Sequence, residues 1–310
     1  MQTAQEITAP TPKQRIFDQQ SAPQTYWGDV RLRFLQQRMA VFATVVLVLI
    51  SLAAIFAPLI APFDPTLDFR SAGGLNELGQ PVPPNDQFWL GTDGIGRDLL
   101  SRIIFGARVS LMVGLVASLA AVTIAIVVGG LAGLLGGTAD QLLMRFVDLM
   151  MSVPTFFLML LLVAIFSPSL TVTIVVITVF GWPSAARIFR SEVVSLKERD
   201  FVLAARCVGL TNAQIFRRHI LSHLLPLFIV YASLSIPGVI FAEAGLSFLS
   251  LGIPPPTPAW GSMVQAGTQY YRAAPWVVIF PGLALMITVV CFRLLSDALR
   301  DVLDPAMRGK

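Results

Sequence analysis

The sequence has few charged side chains, because Asp, Glu, Lys and Arg together make up 13% of its 310 residues. An average soluble domain carries about 25%, so the composition argues against an ordinary water-soluble enzyme. Hydrophobic residues reach 55% and the mean hydropathy is +0.74, which excludes intrinsic disorder. The net charge of +4 is small and fits basic loops at a membrane face better than nucleic-acid binding. The composition therefore predicts an integral membrane protein.

Residues that carry chemistry are also scarce. The two cysteines, Cys207 and Cys291, lie in different settings and form no disulfide framework. No G-x-x-x-x-G-K-[ST] segment occurs, so this chain does not bind ATP through a phosphate loop. Gly94-Ile95-Gly96 lacks the rest of a dinucleotide fingerprint and is better explained as a turn. The segment G-L-S-F-L at 245–249 lacks the second glycine of a serine nucleophile elbow, which disfavours an intramembrane hydrolase.

The two histidines, His219 and His223, are spaced so that both imidazoles would share one face of a helix. A shared metal would need further ligands, and no carboxylate or thiol is close enough in sequence to complete a tetrahedral site. The neighbouring Arg217 and Arg218 would also repel a dication. We therefore predict no metal site and interpret the histidines as polar residues on the exposed side of a short helix.

Long charge-free stretches define the membrane spans, because a helix needs about 20 apolar residues to cross the hydrocarbon core. The stretch 149–186 carries no charge over 38 residues, and as one helix it would measure about 57 Å. It must therefore fold back, and Ser167-Pro168-Ser169 is the strongest breaker near its middle. The predicted fold is all-α with six transmembrane helices, at 39–61, 110–135, 146–166, 170–188, 226–250 and 274–296.

Basic residues predict the orientation, because cytosolic loops are enriched in Lys and Arg. With the N-terminus inside, 17 of the 22 basic residues fall in cytosolic segments, so we expect both termini in the cytosol. The first 38 residues lack the pattern of a signal peptide, and the first span is interpreted as an uncleaved anchor. The expected organisation is a cytosolic segment over 1–38, a membrane domain over 39–296 containing a cytosolic loop over 187–225, and a cytosolic tail over 297–310.

Glycine, proline and aromatic spacing predict local features of these segments. Gly129, Gly133 and Gly137 share one helix face, which favours close helix packing. Kinks are predicted at the prolines inside the spans, Pro154, Pro183 and Pro237. Before the first span, the spacing of Trp27, Val30 and Phe34 is compatible with an interfacial helix or with a plain cytosolic tail.

Charges near or inside the spans are few, and each needs a partner or a function. Arg145 and Asp148 lie three residues apart at the inner end of the third span, so they are predicted to form a structural ion pair. Glu243 is expected near the outer interface. Two interpretations stay open for Glu243: it lines the pathway or an outer gate, or it has a hydrogen-bonded structural role.

The cytosolic loop is unusually patterned for a connection between spans. The segment 200–208 is predicted to be helical, with Gly209 ending it in a left-handed cap. Thr211 or Asn212 can then cap a second short helix over 213–221.

Small residues at Ala204, Ala205 and Gly209 leave room for another surface to approach this pair of helices. Arginines surround it at positions 199, 206, 217 and 218. A solvated basic loop would not require the alanine and glycine spacing, so we predict a docking element for another protein.

Five segments carry a resemblance to a known family. L-A-A-x-x-x-G at 203–209, followed by R-H-I-L at 218–221, resembles the E-A-A-x-x-x-G coupling loop of ABC importer permeases. The chain is most similar to the C-type permease of dipeptide, oligopeptide and nickel importers. The other matches are L-G-T-D-x-x-G-R-D-x-x-S-R at 90–102, A-E-A-G-L-S-F-L at 242–249, P-P-P-T-P-x-W-G at 254–261 and L-R-D-x-L-D-P at 299–305. Two positions depart from the pattern: Leu203 replaces the opening glutamate, and Ser222 replaces the usual proline.

The resemblance implies a multi-pass permease subunit of an ATP-driven importer in the prokaryotic inner membrane, forming half of a pathway for peptides. A homologous B-type permease would form the other half, and an extracytoplasmic binding protein would deliver the solute. Two ATPase subunits would bind ATP and Mg²⁺, so the resemblance implies no catalytic residue, metal or cofactor in this chain. The implied ATPase-coupling residues are Asp200, Ala204, Ala205, Arg206, Gly209 and Leu210.

Other functions remain as alternatives. Six spans would also suit half of a secondary transporter with inverted repeats, but such a carrier needs coupling-ion groups at the membrane midplane, and the sequence places no carboxylate there. Within the importer family, a nickel complex or glutathione is the alternative to a dipeptide or longer peptide.

Overall fold

The computed structural model describes residues 26–303, and its regular elements over that range are all helical. Residues 1–25 of the expected N-terminal segment and residues 304–310 of the expected tail lie outside the described residues. In chain order the helices are α1 (Tyr26–Gln36), α2 (Arg38–Ile55), α3 (Ala57–Ile60), α4 (Leu99–Leu135), α5 (Gly137–Ser152), α6 (Thr155–Phe166), α7 (Leu170–Gly181), α8 (Pro183–Lys197), α9 (Asp200–Cys207), α10 (Asn212–Ile215), α11 (Leu221–Phe248), α12 (Trp260–Gly267) and α13 (Trp276–Leu303). Short 3₁₀ turns at Arg70–Ala72 and Thr268–Tyr270 and a π-helical turn at Phe216–Ile220 lie between them.

Within residues 26–303, four helices are each long and apolar enough to cross a bilayer: α2, α4, α13 and the continuous helix Asn212–Phe248, which joins α10, the π turn and α11. Two bent pairs, α5 with α6 and α7 with α8, meet the same test when each pair is taken together. Counting each pair as one span gives up to six, in agreement with the predicted number.

Helix α4 begins at Leu99, well before the predicted start of the second span at residue 110. The reason is a side-chain cap: the Asp98 carboxylate accepts a hydrogen bond from the Ser101 backbone N–H at 2.8 Å. The capped helix therefore includes Arg102 and Arg108, which charge alone assigns to the preceding loop. Its 37 residues span about 55 Å, so α4 extends well beyond a hydrocarbon core of about 30 Å.

The charge-free stretch folds back at Ser167–Ser169, as predicted: α6 ends at Phe166, and the Ser169 hydroxyl caps α7 by accepting the Val172 N–H at 3.1 Å. The predicted spans 146–166 and 170–188 are each bent, and the kinks predicted at Pro154 and Pro183 are confirmed. The chain bends by 81° between α5 and α6 and by 42° between α7 and α8. Both bends come directly before or at a proline, Pro154 and Pro183, because proline cannot donate the helical hydrogen bond. Pro237, by contrast, lies inside the continuous helix α11.

Helix α4 is at the centre of the bundle, where it packs against α2, α7, α8 and α11. Its contact with α8 is the closest, because a Cβ added to Gly129 would lie 2.2 Å from the Ala186 carbonyl oxygen. A Cβ on Gly133 would lie 2.9 Å from the Arg190 carbonyl oxygen. The predicted small-residue face is therefore confirmed at these two glycines. It is wrong at Gly137, which starts α5 and has no neighbour within 4 Å of an added Cβ.

Adding one methyl group at Gly129 should separate α4 from α8, because the atom it meets is backbone and cannot rotate away. We expect Gly129→Ala to lower the free energy of unfolding by about 1–3 kcal/mol, measured by SDS titration in mixed micelles. Gly282→Ala is the matched control, because it adds the same methyl group in α13 where no neighbour lies within 4 Å. The control should be neutral or stabilising by up to about 1 kcal/mol. Equal effects of the two substitutions would contradict the close-packing interpretation.

Candidate functional site

Helix α9 has one face turned to the chain's own core and one face left open. Val202 is fully buried and Ala205 is 8% exposed, and both belong to a cluster that includes residues of α4 and α8. Leu203 is 46% exposed and Val208 is 80% exposed. Together with the exposed Ala204 and Gly209, they form what we call the α9 surface.

The residues predicted to couple to an ATPase thus divide into two groups. Asp200, Ala204, Arg206 and Gly209 are exposed. Ala205 and Leu210 instead pack against the core of this chain. The two alanines of the motif therefore lie on opposite sides of the helix. Ala205 lets α9 pack closely against its own bundle, and Ala204 keeps the exposed surface free of a bulky side chain.

Gly209 ends α9 with φ +86°, the left-handed conformation predicted for it. The Leu210 N–H donates to the Ala205 carbonyl at 3.1 Å, and the Gly209 N–H donates to Arg206 at 2.9 Å. This bonding satisfies carbonyls that the helix end would otherwise leave unpaired. An added Cβ at Gly209 would meet nothing within 4 Å, so the glycine is required by its backbone angle and not by crowding.

The second helix of the loop is longer than predicted. Thr211 caps it through a reciprocal capping box with Gln214, so the predicted cap is confirmed at Thr211. The helix does not end near residue 221, however, but runs on through the π turn into α11. The predicted short helix over 213–221 is thus the first part of the fifth span. Residues 221–225 contain neither proline nor glycine, and the helix continues through Pro226, which lies inside α11.

His219 and His223 lie at the junction between α9 and this long helix. The His223 ring stacks on Phe201 of α9 with centroids 4.7 Å apart and planes 10° apart, and His219 lies 6.4 Å from the same ring. In residues 26–303, no group of three His, Cys, Asp or Glu side chains is arranged to hold a metal ion. The histidines thus contact the side of α9, a contact that sequence spacing alone did not indicate.

A second junction, also missed by the sequence, joins α8 to α4 and α5. The Lys197 Nζ donates to the carbonyls of Gly133 and Leu134 at 2.9 and 3.0 Å. Arg190 makes two hydrogen bonds to the carboxylate of Asp140 in α5. The partners are separated by 50 residues or more along the chain, so no local pattern could reveal them.

The predicted pair of Arg145 with Asp148 is wrong. Asp148 instead pairs with Arg187 at the start of α8. Although three residues apart on α5, Arg145 and Asp148 belong to a helix that ends at the 81° bend, and α8 brings a competing guanidinium alongside. Both members of the actual pair are about half exposed, so it contributes little to stability.

Glu243 is fully buried between α11 and α4, five residues before the end of α11. Its Oε1 accepts the Ser247 hydroxyl at 2.7 Å, and its Oε2 accepts the Ser110 hydroxyl of α4 at 3.5 Å. This is the hydrogen-bonded arrangement that was one of the two interpretations from sequence. In this conformation the carboxyl group joins two helices, and a role in lining the pathway or an outer gate stays a prediction.

A compact ionic cluster holds the loop before Leu99, at the N-terminal end of α4. Lys197 contacts the other end of this helix. Asp93 pairs with Arg97 at 2.8 Å and with Arg102 at 3.2 Å, and all three side chains are at most 12% exposed. Arg102 also donates to the Pro65 carbonyl at 3.0 Å, which ties the start of the loop to α4. Residues 93–97 form the predicted turn, with Gly96 at φ +82°.

A cavity of about 440 Å³ opens beside this cluster. Its walls come from the turn at 93–97, from the loop 250–257, and from α12 and the 3₁₀ turn that follows it. Two of the sequence motifs, at 90–102 and 254–261, therefore meet around one space. Ser247, which donates to Glu243, lies in the same wall.

Comparison with known proteins identifies the class. Residues 125–309 match the family described as "Binding-protein-dependent transport system inner membrane component", and residues 25–84 match the N-terminal transmembrane domain of oligopeptide transport permease C. The fold resembles a chain of the MetNI methionine ABC transporter in an inward-facing conformation, with a TM-score of 0.54 and 21% identity over 66% of this chain and 97% of that chain. The helices and bent pairs described above are thus those of a multi-pass transport permease.

Curated relatives give the particular family. The chain is 35% identical to the oligopeptide permease OppC of Bacillus subtilis (strain 168), over 91% of this chain and 90% of the relative. It is 39% identical to the nickel permease NikC of Escherichia coli (strain K12), over 88% of this chain and 96% of the relative. This chain belongs to the family of binding-protein-dependent inner membrane permeases, whose members work with ATPase and substrate-binding partners. It is a permease subunit of the prokaryotic inner membrane.

Removing the carboxylate of Asp93 should leave two buried guanidinium groups without their counter-ion. We expect Asp93→Asn to destabilise the chain by about 3–5 kcal/mol, measured by SDS titration in mixed micelles. Asp68→Asn is the control, because Asp68 pairs with Arg70 while both side chains are about half exposed. It should cost at most about 1 kcal/mol. If Asp93→Asn were as mild as the control, the cluster would not hold the loop on α4.

Proposed function

We propose that this permease subunit belongs to an ATP-driven peptide importer and that its α9 surface docks on a cytosolic ATPase subunit. The observation that carries the proposal is the exposed apolar patch of Leu203, Ala204 and Val208 at the matched coupling motif. An apolar patch beside arginines, on a helix whose other face is buried in its own core, is suited to a protein partner. The end of the helical bundle that carries α9 is then cytosolic, as are both termini of the chain.

The proposal includes three kinds of partner. A homologous B-type permease supplies the second half of the pathway, and an extracytoplasmic binding protein delivers the solute to the end of the bundle that carries the Asp93 cluster. Two ATPase subunits bind ATP and Mg²⁺, so this chain itself is not an enzyme and holds no cofactor. Lipid covers the apolar faces of the spans.

Closure of the ATPase subunits on ATP would move the bound α9 relative to the membrane. ATP favours the closed state only through its higher affinity for that state, so the docking contact must transmit displacement without yielding. The contacts of Val202 and Ala205 with the core support this role, because they prevent α9 from moving independently of the bundle. The bundle then changes from inward-open to outward-open by rigid-body movement of its helices.

Peptides are the proposed solute because the relatives include oligopeptide and dipeptide permeases and because residues 25–84 match a domain of oligopeptide permease C. A nickel chelate is the second candidate, supported by the 39% identity to NikC. A secondary transporter is not supported, since Glu243, which is buried in α11, is hydrogen-bonded to two serines, and no group of three His, Cys, Asp or Glu side chains in residues 26–303 is arranged to hold an ion.

The function is tested by purifying the chain in a mild detergent from cells that express its genomic neighbours. Co-purification of two ATPase subunits and a second permease, with ATP-dependent uptake after reconstitution, is expected. Uptake is compared for a labelled dipeptide, a labelled tetrapeptide and a nickel–histidine chelate, each with its binding protein. Uptake driven by an ion gradient without ATP would overturn the proposal, and uptake of the nickel chelate alone would replace peptide by nickel.

Substituting Gly209 tests the docking role of the α9 surface. Gly209→Val places a β-branched residue at φ +86° and adds bulk to the open side, so we expect loss of ATPase co-purification and of uptake while the spans remain folded. Gly79→Val is the matched control. Gly79 also has a positive φ, at +71°, and an added Cβ would have no neighbour within 4 Å, but it lies in the loop before α4, at the other end of the bundle. Both variants carry similar backbone strain of about 1–3 kcal/mol. Equal loss of co-purification in the two variants would indicate strain and not docking.

A further inference from the structure

The carbonyl end of α4 is closed by a side chain from α8. Gly133 and Leu134 lie in the last turn of α4, where backbone carbonyls lack helical partners and the helix dipole is negative. The Lys197 ammonium donates to both carbonyls, at 2.9 and 3.0 Å, and its side chain is half-buried. A cation in this position satisfies two acceptors and complements the dipole at once.

Other contacts leave α8 little freedom to slide along α4. The backbones touch at Gly129 and Gly133, where no Cβ would fit, and this contact involves Ala186 and Arg190 of α8. Arg190 also holds Asp140 of the following helix α5. Lys197 closes this interface at the end nearest to α9, so α4 and α8 meet along a continuous line from Ala186 to Lys197.

The position of Lys197 in the chain gives this contact a mechanical consequence. Helix α9 begins at Asp200, and only Glu198 and Arg199 separate it from Lys197. Both linking residues are exposed. Their N–H groups donate to the carbonyls of Ser195 and Leu196, and the Arg199 carbonyl accepts from the Val202 and Leu203 N–H groups of α9. A displacement of α9 therefore reaches the bundle through the core contacts of Val202 and Ala205 and, along the chain, at the last turn of α8, where Lys197 holds α4.

We propose that Lys197 is a positioning residue for energy coupling: beyond the glycine contacts, it locks the last turn of α8 to the end of α4, so that movement of α9 is passed to α4 as a whole. The inference rests on the proposed docking of α9 on an ATPase subunit. Because α4 is a single helix of about 55 Å, it carries the displacement to Leu99, beside the Asp93 cluster and the cavity at the other end. Without the lock, α9 and the end of α8 would move while α4 lagged behind.

The test uses the full importer reconstituted in vesicles, with Lys197→Met to remove the two hydrogen bonds while keeping the length of the side chain. We expect ATPase subunits to co-purify as with the wild-type chain and the number of ATP molecules hydrolysed per solute imported to rise about five-fold or more. Lys197→Arg should restore most of the coupling, since a guanidinium also donates to carbonyls. Arg145→Met is the control: Arg145 is an exposed cation on neighbouring α5 with no ion pair in the described part of the chain.

A second readout separates locking from general stability. Spin labels at Leu135 and Val194, both exposed, measure the distance between the ends of α4 and α8 in a variant whose two cysteines are replaced. That distance should be the same with and without ATP in the otherwise wild-type importer, and should change with ATP in Lys197→Met. Two results would overturn this inference while leaving the proposed function intact. One is an unchanged ratio of ATP hydrolysed to solute imported in Lys197→Met. The other is a label distance that already changes with ATP while Lys197 is present. Failure of the wild-type chain to bind ATPase subunits would overturn the proposed function and the inference with it.

Discussion

The contact between the backbones of α4 and α8 is the constraint on which the rest of the structure depends. Gly129 approaches the Ala186 carbonyl so closely that even a methyl group would not fit. This contact fixes α8 relative to α4, a helix of 37 residues, and α8 in turn sets where α9 begins. At its other end α4 carries the loop with the Asp93 cluster. One helix pair therefore connects the two ends of the protein.

Charged groups are placed where they reinforce this connection. Lys197 caps the end of α4, Arg190 holds α5 to α8, and Arg102 ties the loop at Pro65 and Asp93 to the first turns of α4. Charges are costly in a membrane, and here most of the buried ones have partners on another element. Two buried carboxyl groups differ, because their partners are serines: Glu243 accepts from the Ser110 and Ser247 hydroxyls, and Asp98 from Ser101.

The coupling motif has a structural meaning on both sides of α9. Ala205 is small because α9 lies against its own bundle, whereas Ala204 is small on the open side, beside the exposed Val208. Phe201 is held by the stacked ring of His223 from the long helix that continues into α11. A docking helix with an open apolar face and a firmly packed back is suited to transmitting displacement to the membrane domain.

The sequence by itself predicted the helical membrane class, six spans, the fold-back at Ser167–Ser169, a cap at Thr211 or Asn212 and the left-handed Gly209, because each depends on composition or on contacts within a few residues. It did not predict the start of α4 at Leu99 or the size of the bends at Pro154 and Pro183. The partners of Asp148, Lys197 and His223 also depended on the tertiary structure. These partners come from distant segments, as when Arg187 replaced the nearer Arg145, and sequence spacing carries no information about which helices become neighbours. The start of α4, by contrast, follows from the local Asp98 cap, which span bounds drawn from charge alone did not take into account.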